Sequence, residues 1–390
     1  MLASACAAPD DPAPGSAARP VRALLERRAA AVRAHDPDAY LAAVDPRATG
    51  LRAAQRRELD DLADVPLASW TYQVTGLTED GAGRAVADVR LNYRITGYDR
   101  APATEDRVLD LRRDTTDGHW YITADRPDGN GGPLWRQGRV RAVRGARSLV
   151  LGVGRAEREL RAIAAAADRA VPAVSAAWPE RWPGRVLVLV PRTADGVAGL
   201  LGGPAGDYRG LAAVTTALPG GPDRAPADRV IVNPEAYGTL DALGRRIVLT
   251  HEITHVATRA RTTGATPSWL SEGFADWAAY RPEHRPAAEA APELADAVRR
   301  GEMPAALPAD EDFGFAGDAA RLARAYEGAR LACELIADRW GERRLSAFYR
   351  AVAEHRERDG AVAAALREVL DTTPAEFTAR WRDHLRARLG

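Results

Sequence analysis

The sequence contains no lysine: all 54 of its basic residues are arginine, and 54 acidic residues balance them. A net charge of zero lacks the basic excess of a nucleic-acid-binding surface, and no basic run is interleaved with aromatics. The clustered Arg139, Arg141, Arg144 and Arg147 read as a solvated strand or helix face. Cysteine is nearly missing, with two in 390 residues, which rules out a disulfide framework. No apolar run approaches the roughly 20 residues needed to cross a bilayer. The Ala, Arg and Gly richness reflects a GC-rich genome and carries no functional information. The length accommodates two or three domains with sizeable cores.

What is present is concentrated in two short stretches. The first is His251-Glu252-Ile253-Thr254-His255, near the end of an expected helix over 239–259 with Thr239 as its N-cap. Positions four apart lie one turn apart on the same helix face, so the two imidazoles can converge on one ion. In this HExxH arrangement two histidines hold zinc and the glutamate serves as general base toward a metal-activated water. Tetrahedral zinc then still lacks a protein ligand. The second stretch, Trp269-Leu270-Ser271-Glu272-Gly273-Phe274-Ala275-Asp276-Trp277, supplies Glu272 for that position, and Pro267 suits the entry to its helix. The plainer alternative is that Leu243, Ile247, His251 and His255 form one apolar i, i+4 stripe and the histidines are core residues.

HEITH followed by WLSEGFADW resembles the gluzincin metallopeptidases, the clan of thermolysin and the M1 aminopeptidases. The resemblance implies Zn2+ on His251, His255 and Glu272, with Glu252 catalytic and Asp276 orienting His251 from behind. It also implies a strand-rich lobe ahead of the HExxH helix and an all-helical lobe after it. In that family an edge strand above the metal pairs with the peptide substrate. Gly210-Leu211-Ala212-Ala213-Val214, within an expected strand over 210–218, is the candidate, and the strand over 229–233 is the runner-up; both are otherwise ordinary sheet strands. Arg324-Ala325-Tyr326-Glu327-Gly328-Ala329 resembles the aminopeptidase stretch in which a helix tyrosine faces the metal, with Ala329 where glycine is usual. Tyr326 would then donate to the oxyanion of the tetrahedral intermediate; otherwise it is a half-buried helix tyrosine. The M1 aminopeptidases carry a GxMEN segment whose glutamate captures a free amino terminus. Residues 210–214 contain no glutamate, which points to an endopeptidase.

The remaining chain is read from pattern. Residues 21–47 and 51–62 repeat apolar positions at three and four, and strand-like runs follow at 70–75, 84–95, 108–112 and 119–123, separated by Asp-Gly turns. Helices followed by such a sheet resemble the NTF2-like (cystatin-like) fold, which implies a pocket-bearing, spacer or dimerising domain. Residues 125–138, rich in Pro and Gly, mark the boundary. Strands are expected at 140–152 and 185–190, a long Ala-rich helix at 156–178, and helices from 318 to 389. Leu201-Gly202-Gly203-Pro204 lacks the lysine of a phosphate loop. His35, His119, His284 and Asp310 to Asp312 read as surface or loop residues, and Cys333 as a small buried apolar side chain.

Leu2-Ala3-Ser4-Ala5-Cys6 resembles a bacterial lipobox, in which the cysteine is lipidated after signal cleavage. The Pro- and Ala-rich residues that follow suit a flexible tether. The charged and apolar regions of a signal peptide are missing before the motif, so either the chain starts upstream of the residue written first, with membrane attachment through a lipid on Cys6 or secretion as the expectation, or the match is accidental.

Together these give an α+β protein: a lipobox-like start and tether (1–20), an NTF2-like α+β domain (21–135), and a zinc metallopeptidase-like domain (138–390). The last divides into a mixed-sheet lobe with the HExxH helix (138–260) and a helical lobe (261–390). The expected activity is extracytoplasmic hydrolysis of peptide bonds in a peptide or protein substrate. Two alternatives stand beside it: an inactive zinc-binding scaffold, and a lipoprotein whose N-terminal domain binds the ligand.

Overall fold

The structure, a computed structural model of the chain, describes residues 17–129, 131–216, 225–283, 285–314 and 318–390. Cys6, His284 and most of the tether lie outside the described residues. The chain is a mixed α and β protein with two sheets. It divides into two compact units. The first holds the residues up to Arg141 with Gly199–Gly203 and Asp223–Ala227, and the second holds the rest.

The first unit opens with helices α1 (Ala18–Ala34), α2 (Pro37–Leu41) and α3 (Thr49–Asp61). His35 ends α1 in the left-handed region at φ 51°, where its N–H reaches the carbonyls of Ala31 and Val32. Asp36 then caps α2, with Pro37 in the first turn. Strands β1 (Leu67–Glu79), β2 (Arg84–Ile95), β3 (Ala103–Arg113) and β4 (Trp120–Pro127) form an antiparallel meander in that spatial order. Period-two alternation decides which face is buried. Ala85, Ala87, Val89 and Leu91 of β2 are buried, and the first three share one core with Leu109, Leu111, Ile122 and the Val21, Leu24, Leu25 stripe of α1. Register shifts in β1 between Leu67 and Ser69 and between Val74 and Gly76 bend the sheet.

Charge is also buried here. The Asp125 carboxylate, 2% exposed, accepts from Arg107 Nε at 2.7 Å and from Arg28 Nη2 at 3.2 Å. Arg28 donates further to the Tyr40 hydroxyl and to Gln55, and Arg107 pairs with Glu58 at 3.2 Å. Two buried cations thus share one carboxylate. Removing one partner of a buried pair leaves an uncompensated charge. Asp125→Ala is therefore expected to destabilise the full chain by about 3–5 kcal/mol in chemical denaturation. A loss below about 1 kcal/mol, the size of an exposed pair, would show that the arginines are compensated elsewhere.

The second sheet, which apart from the first two residues of its first strand belongs to the second unit, consists of β5 (Val140–Arg144), β6 (Ser148–Val153), β7 (Val186–Val190), β8 (Ala213–Thr215) and β9 (Arg229–Val232), in the order β5-β6-β7-β9-β8. β6, β7 and β9 run parallel, and every residue of β6 and β9 is buried, as expected for strands covered on both faces. β8 closes the edge antiparallel to β9. Helix α4 (Glu157–Ala177) connects β6 to β7. It buries Leu160, Ile163, Ala164, Ala167, Ala170, Val171 and Val174 at three- and four-residue spacing.

After β7 comes α5 (Ala194–Leu201), and after β9 the chain is helical: α6 (Pro234–Thr239), α7 (Ala242–Thr258), α8 (Ser268–Tyr280), α9 (Ala287–Ala290), α10 (Pro292–Arg299), α11 (Ala319–Trp340), α12 (Glu342–Ala353), α13 (Ala361–Leu370) and α14 (Pro374–Leu389). The helix expected to start at Thr239 is in fact two. Asn233 caps α6, which ends at Thr239, and Asp241 caps α7 by accepting from Gly244 N–H at 2.7 Å. Thr239 is thus the end of one helix and does not cap the next. Cys333 is fully buried on α11, and burial pushes its thiol pKa up.

α8 packs closely on α11. A Cβ placed on Gly273 would stand 2.4 Å from the Ala329 carbonyl oxygen, a backbone atom that cannot swing away. Gly273→Ala is expected to cost about 1–3 kcal/mol by forcing the helices apart. In a thermal scan this would lower Tm by roughly 2–4 °C per kcal/mol. An unchanged Tm would mean that α8 and α11 separate freely.

Candidate metal centre

Helix α7 carries His251 and His255 one turn apart, and their rings meet edge to face with centroids 4.8 Å apart. Their Nε2 atoms approach to 3.0 Å. Helix α8 brings Glu272 in from the other side, its Oε2 at 3.2 Å from His251 Nε2 and 3.4 Å from His255 Nε2. A tetrahedral ion with bonds of about 2.0–2.1 Å places its donors about 3.3–3.4 Å apart. The triangle therefore has the dimensions that one such ion would impose, and the three residues could hold it.

The protonation pattern fits the same purpose. Asp276, one turn after Glu272 on α8, lies 2.7 Å from His251 Nδ1. A carboxylate there accepts the Nδ1 hydrogen, so that Nε2 is the nitrogen turned to the other two donors and the one that would bind a metal. Burial opposes a charged His251, but Asp276 and then Glu272 outweigh it and hold its pKa well above the ordinary histidine value. Glu272 shows the converse: burial would raise its pKa, yet His255 and His251 hold it well below the usual carboxylate range.

Glu252 is largely buried beside this triangle, on the same helix. Its Oε2 accepts a hydrogen bond from Thr215 Oγ1 at 2.6 Å. The Tyr326 ring from α11 lies 6.2 Å from the His251 ring and is backed by Phe313 at 5.2 Å. Burial, together with the nearby Glu272, Asp276 and Glu252 carboxylates, keeps its phenol protonated. The structure thus brings together His251, Glu252, His255, Glu272, Asp276 and Tyr326.

The expected substrate strand is only partly a strand. Ala213 and Val214 belong to β8, which continues to Thr215, whereas Gly210, Leu211 and Ala212 precede it. The reason is local. A turn at Ala205–Tyr208 is fastened by Asn233, whose Nδ2 donates to the Tyr208 and Arg209 carbonyls, and Leu211 N–H is spent on Tyr208. Asp310 is exposed, as expected of a solvated residue, and it also accepts from Ser268 N–H at the start of α8 at 2.9 Å and pairs with Arg358. The contacts of Thr215 and Asp310 are marked by no sequence pattern, because each reaches across a long separation.

No known family's sequence profile matches the chain, and no curated protein matches it. A second group of possible metal donors, Glu334, Asp338 and His384, lies between α11 and α14. There Glu334 is already paired with Arg388 and Arg330.

Asp276→Ala is expected to weaken metal affinity, with zinc as the probe, by roughly 10- to 100-fold. Competition against a chromogenic chelator would measure it. His251→Ala should abolish binding in the same assay. Unchanged affinity in His251→Ala would remove the site from consideration.

Proposed function

We propose that this protein is a zinc-dependent metallopeptidase of the gluzincin type, with Zn2+ held by His251, His255 and Glu272. The observation that carries the reading is the donor triangle, with edges of 3.0, 3.2 and 3.4 Å, backed by Asp276 and flanked by a buried glutamate. Zinc in such a site acts as a Lewis acid that polarises a carbonyl and acidifies water. The chain's own residues do the rest. Asp276 keeps His251 in the tautomer with Nε2 bare. Glu252 takes the proton from the attacking water and delivers it to the leaving amine. Tyr326, held protonated, donates to the developing oxyanion.

The α1–α3 helices and the β1–β4 meander support an NTF2-like N-terminal domain. The mixed sheet and helical array of the second unit support the two gluzincin lobes. Residues 210–214 carry no glutamate to grip a free amino terminus, which favours endopeptidase action on peptides or proteins. A lipid on Cys6 would attach the protein to a membrane, outside the cytoplasm.

The test is cleavage of a mixed peptide library by zinc-loaded wild type and Glu252→Gln, read by mass spectrometry. Wild type should cleave internal bonds, and Glu252→Gln should retain zinc while losing roughly 10²- to 10⁴-fold in turnover. A fully active Glu252→Gln enzyme would sink the mechanism. Zinc binding with no cleavage by wild type would indicate a scaffold.

A further inference from the structure

Thr215 is the last residue of β8. Its Oγ1 lies 2.6 Å from Glu252 Oε2 and 3.0 Å from the Glu252 backbone oxygen. A hydroxyl has one proton to give, and the shorter contact is to the charged acceptor, where a hydrogen bond is stronger. The terminal torsion of a glutamate is broad unless one of its oxygens is held. Here one is held, by a side chain 37 positions away in the chain.

The strand end that carries this hydroxyl is itself fixed. Thr215 pairs with Val230 of β9. The following Thr216 accepts Arg229 N–H on its hydroxyl at 2.9 Å and donates its own N–H to the Arg229 carbonyl at 2.9 Å. Arg259, at the end of α7, then binds the Thr216 carbonyl at 3.3 Å and Asp228 at 2.8 Å. The sheet edge and the HExxH helix are therefore tied together at two points, at Glu252 and at Arg259. Such bracing suits a contact whose value lies in its geometry.

We propose that Thr215 is a positioning residue for Glu252: its hydroxyl holds Oε2, so that the carboxylate has one orientation and Oε1 remains for proton transfer. Glu252's role as a base rests on the function proposed above, whereas the fixing of its carboxylate does not. Thr215→Val removes the hydroxyl while keeping the shape and the preference for a strand, and Thr215→Ser restores the hydroxyl.

Crystal structures of the full-length variants give the first readout. Glu252 should leave its wild-type position in Thr215→Val and keep it in Thr215→Ser, with His251, His255 and Glu272 unmoved in both. Peptide hydrolysis gives the second. Thr215→Val should lose roughly 10- to 100-fold in kcat, with KM and zinc affinity unchanged, and Thr215→Ser should recover most of the rate. Glu252 unmoved in Thr215→Val, or equal impairment of the valine and serine variants, would overturn the proposal. If wild type cleaves nothing, the proposed function fails by itself, and the crystal structures still decide whether Thr215 fixes Glu252.

Discussion

His251 Nδ1 and Asp276 Oδ1 stand 2.7 Å apart, and this bond links the helix that carries two of the candidate donors to the helix that carries the third. It keeps a hydrogen on Nδ1, so that Nε2 is the nitrogen turned to the other donors. It fixes the ring plane, because a short bond to a carboxylate is directional. It also sets the relative height of α7 and α8, since Asp276 and Glu272 lie one turn apart and move together. Were α8 to slide by one residue, about 1.5 Å along its axis, both the triangle and its backing would be lost.

That register is held by packing as well as by this polar bond. Gly273, the neighbour of Glu272, removes its side chain so that the Ala329 carbonyl of α11 can approach. Asp310 satisfies an orphan N–H at the start of α8 and is anchored by Arg358. The first unit treats buried charge in the opposite way. There Asp125, Arg28, Arg107, Gln55 and Tyr40 satisfy one another. A polar network whose members pair with one another rigidifies a core, whereas a cluster of converging donors suits a ligand.

How much of this could be read from the amino acids follows from sequence separation. His251 and His255, or Glu272 and Asp276, are related by helical periodicity, so spacing alone implies that they share a face. The apolar alternation of β2 and the continuous runs of β6, β7 and β9 are local signals of the same kind. The start of α7 was less legible. Thr239 and Asp241 are both good caps, and the choice between them depends on α6, a six-residue helix too short to show a period. The shortness of β8 was hidden for a similar reason: residues 210–212 have strand-like composition, but their backbone groups are claimed by Asn233 and Tyr208.

The residues that escape a sequence reading share one property: a side chain on one element completes a group on another. Thr215 does so for Glu252 over 37 positions and Asp310 for Ser268 over 42. Helical spacing can specify which donors face a site, since that information repeats every turn. It cannot specify the rotation of the glutamate beside them, because the glutamate side chain ends in a broad torsion that its own helix leaves open. A general base needs that last degree of freedom removed, as proton transfer is sensitive to sub-ångström misplacement. A partner from the sheet edge supplies the constraint from a direction the helix does not occupy. The candidate donors are thus encoded along one helix face and its neighbour, while the orientation of Glu252, the base in the proposed function, is encoded in the docking of β8 against α7.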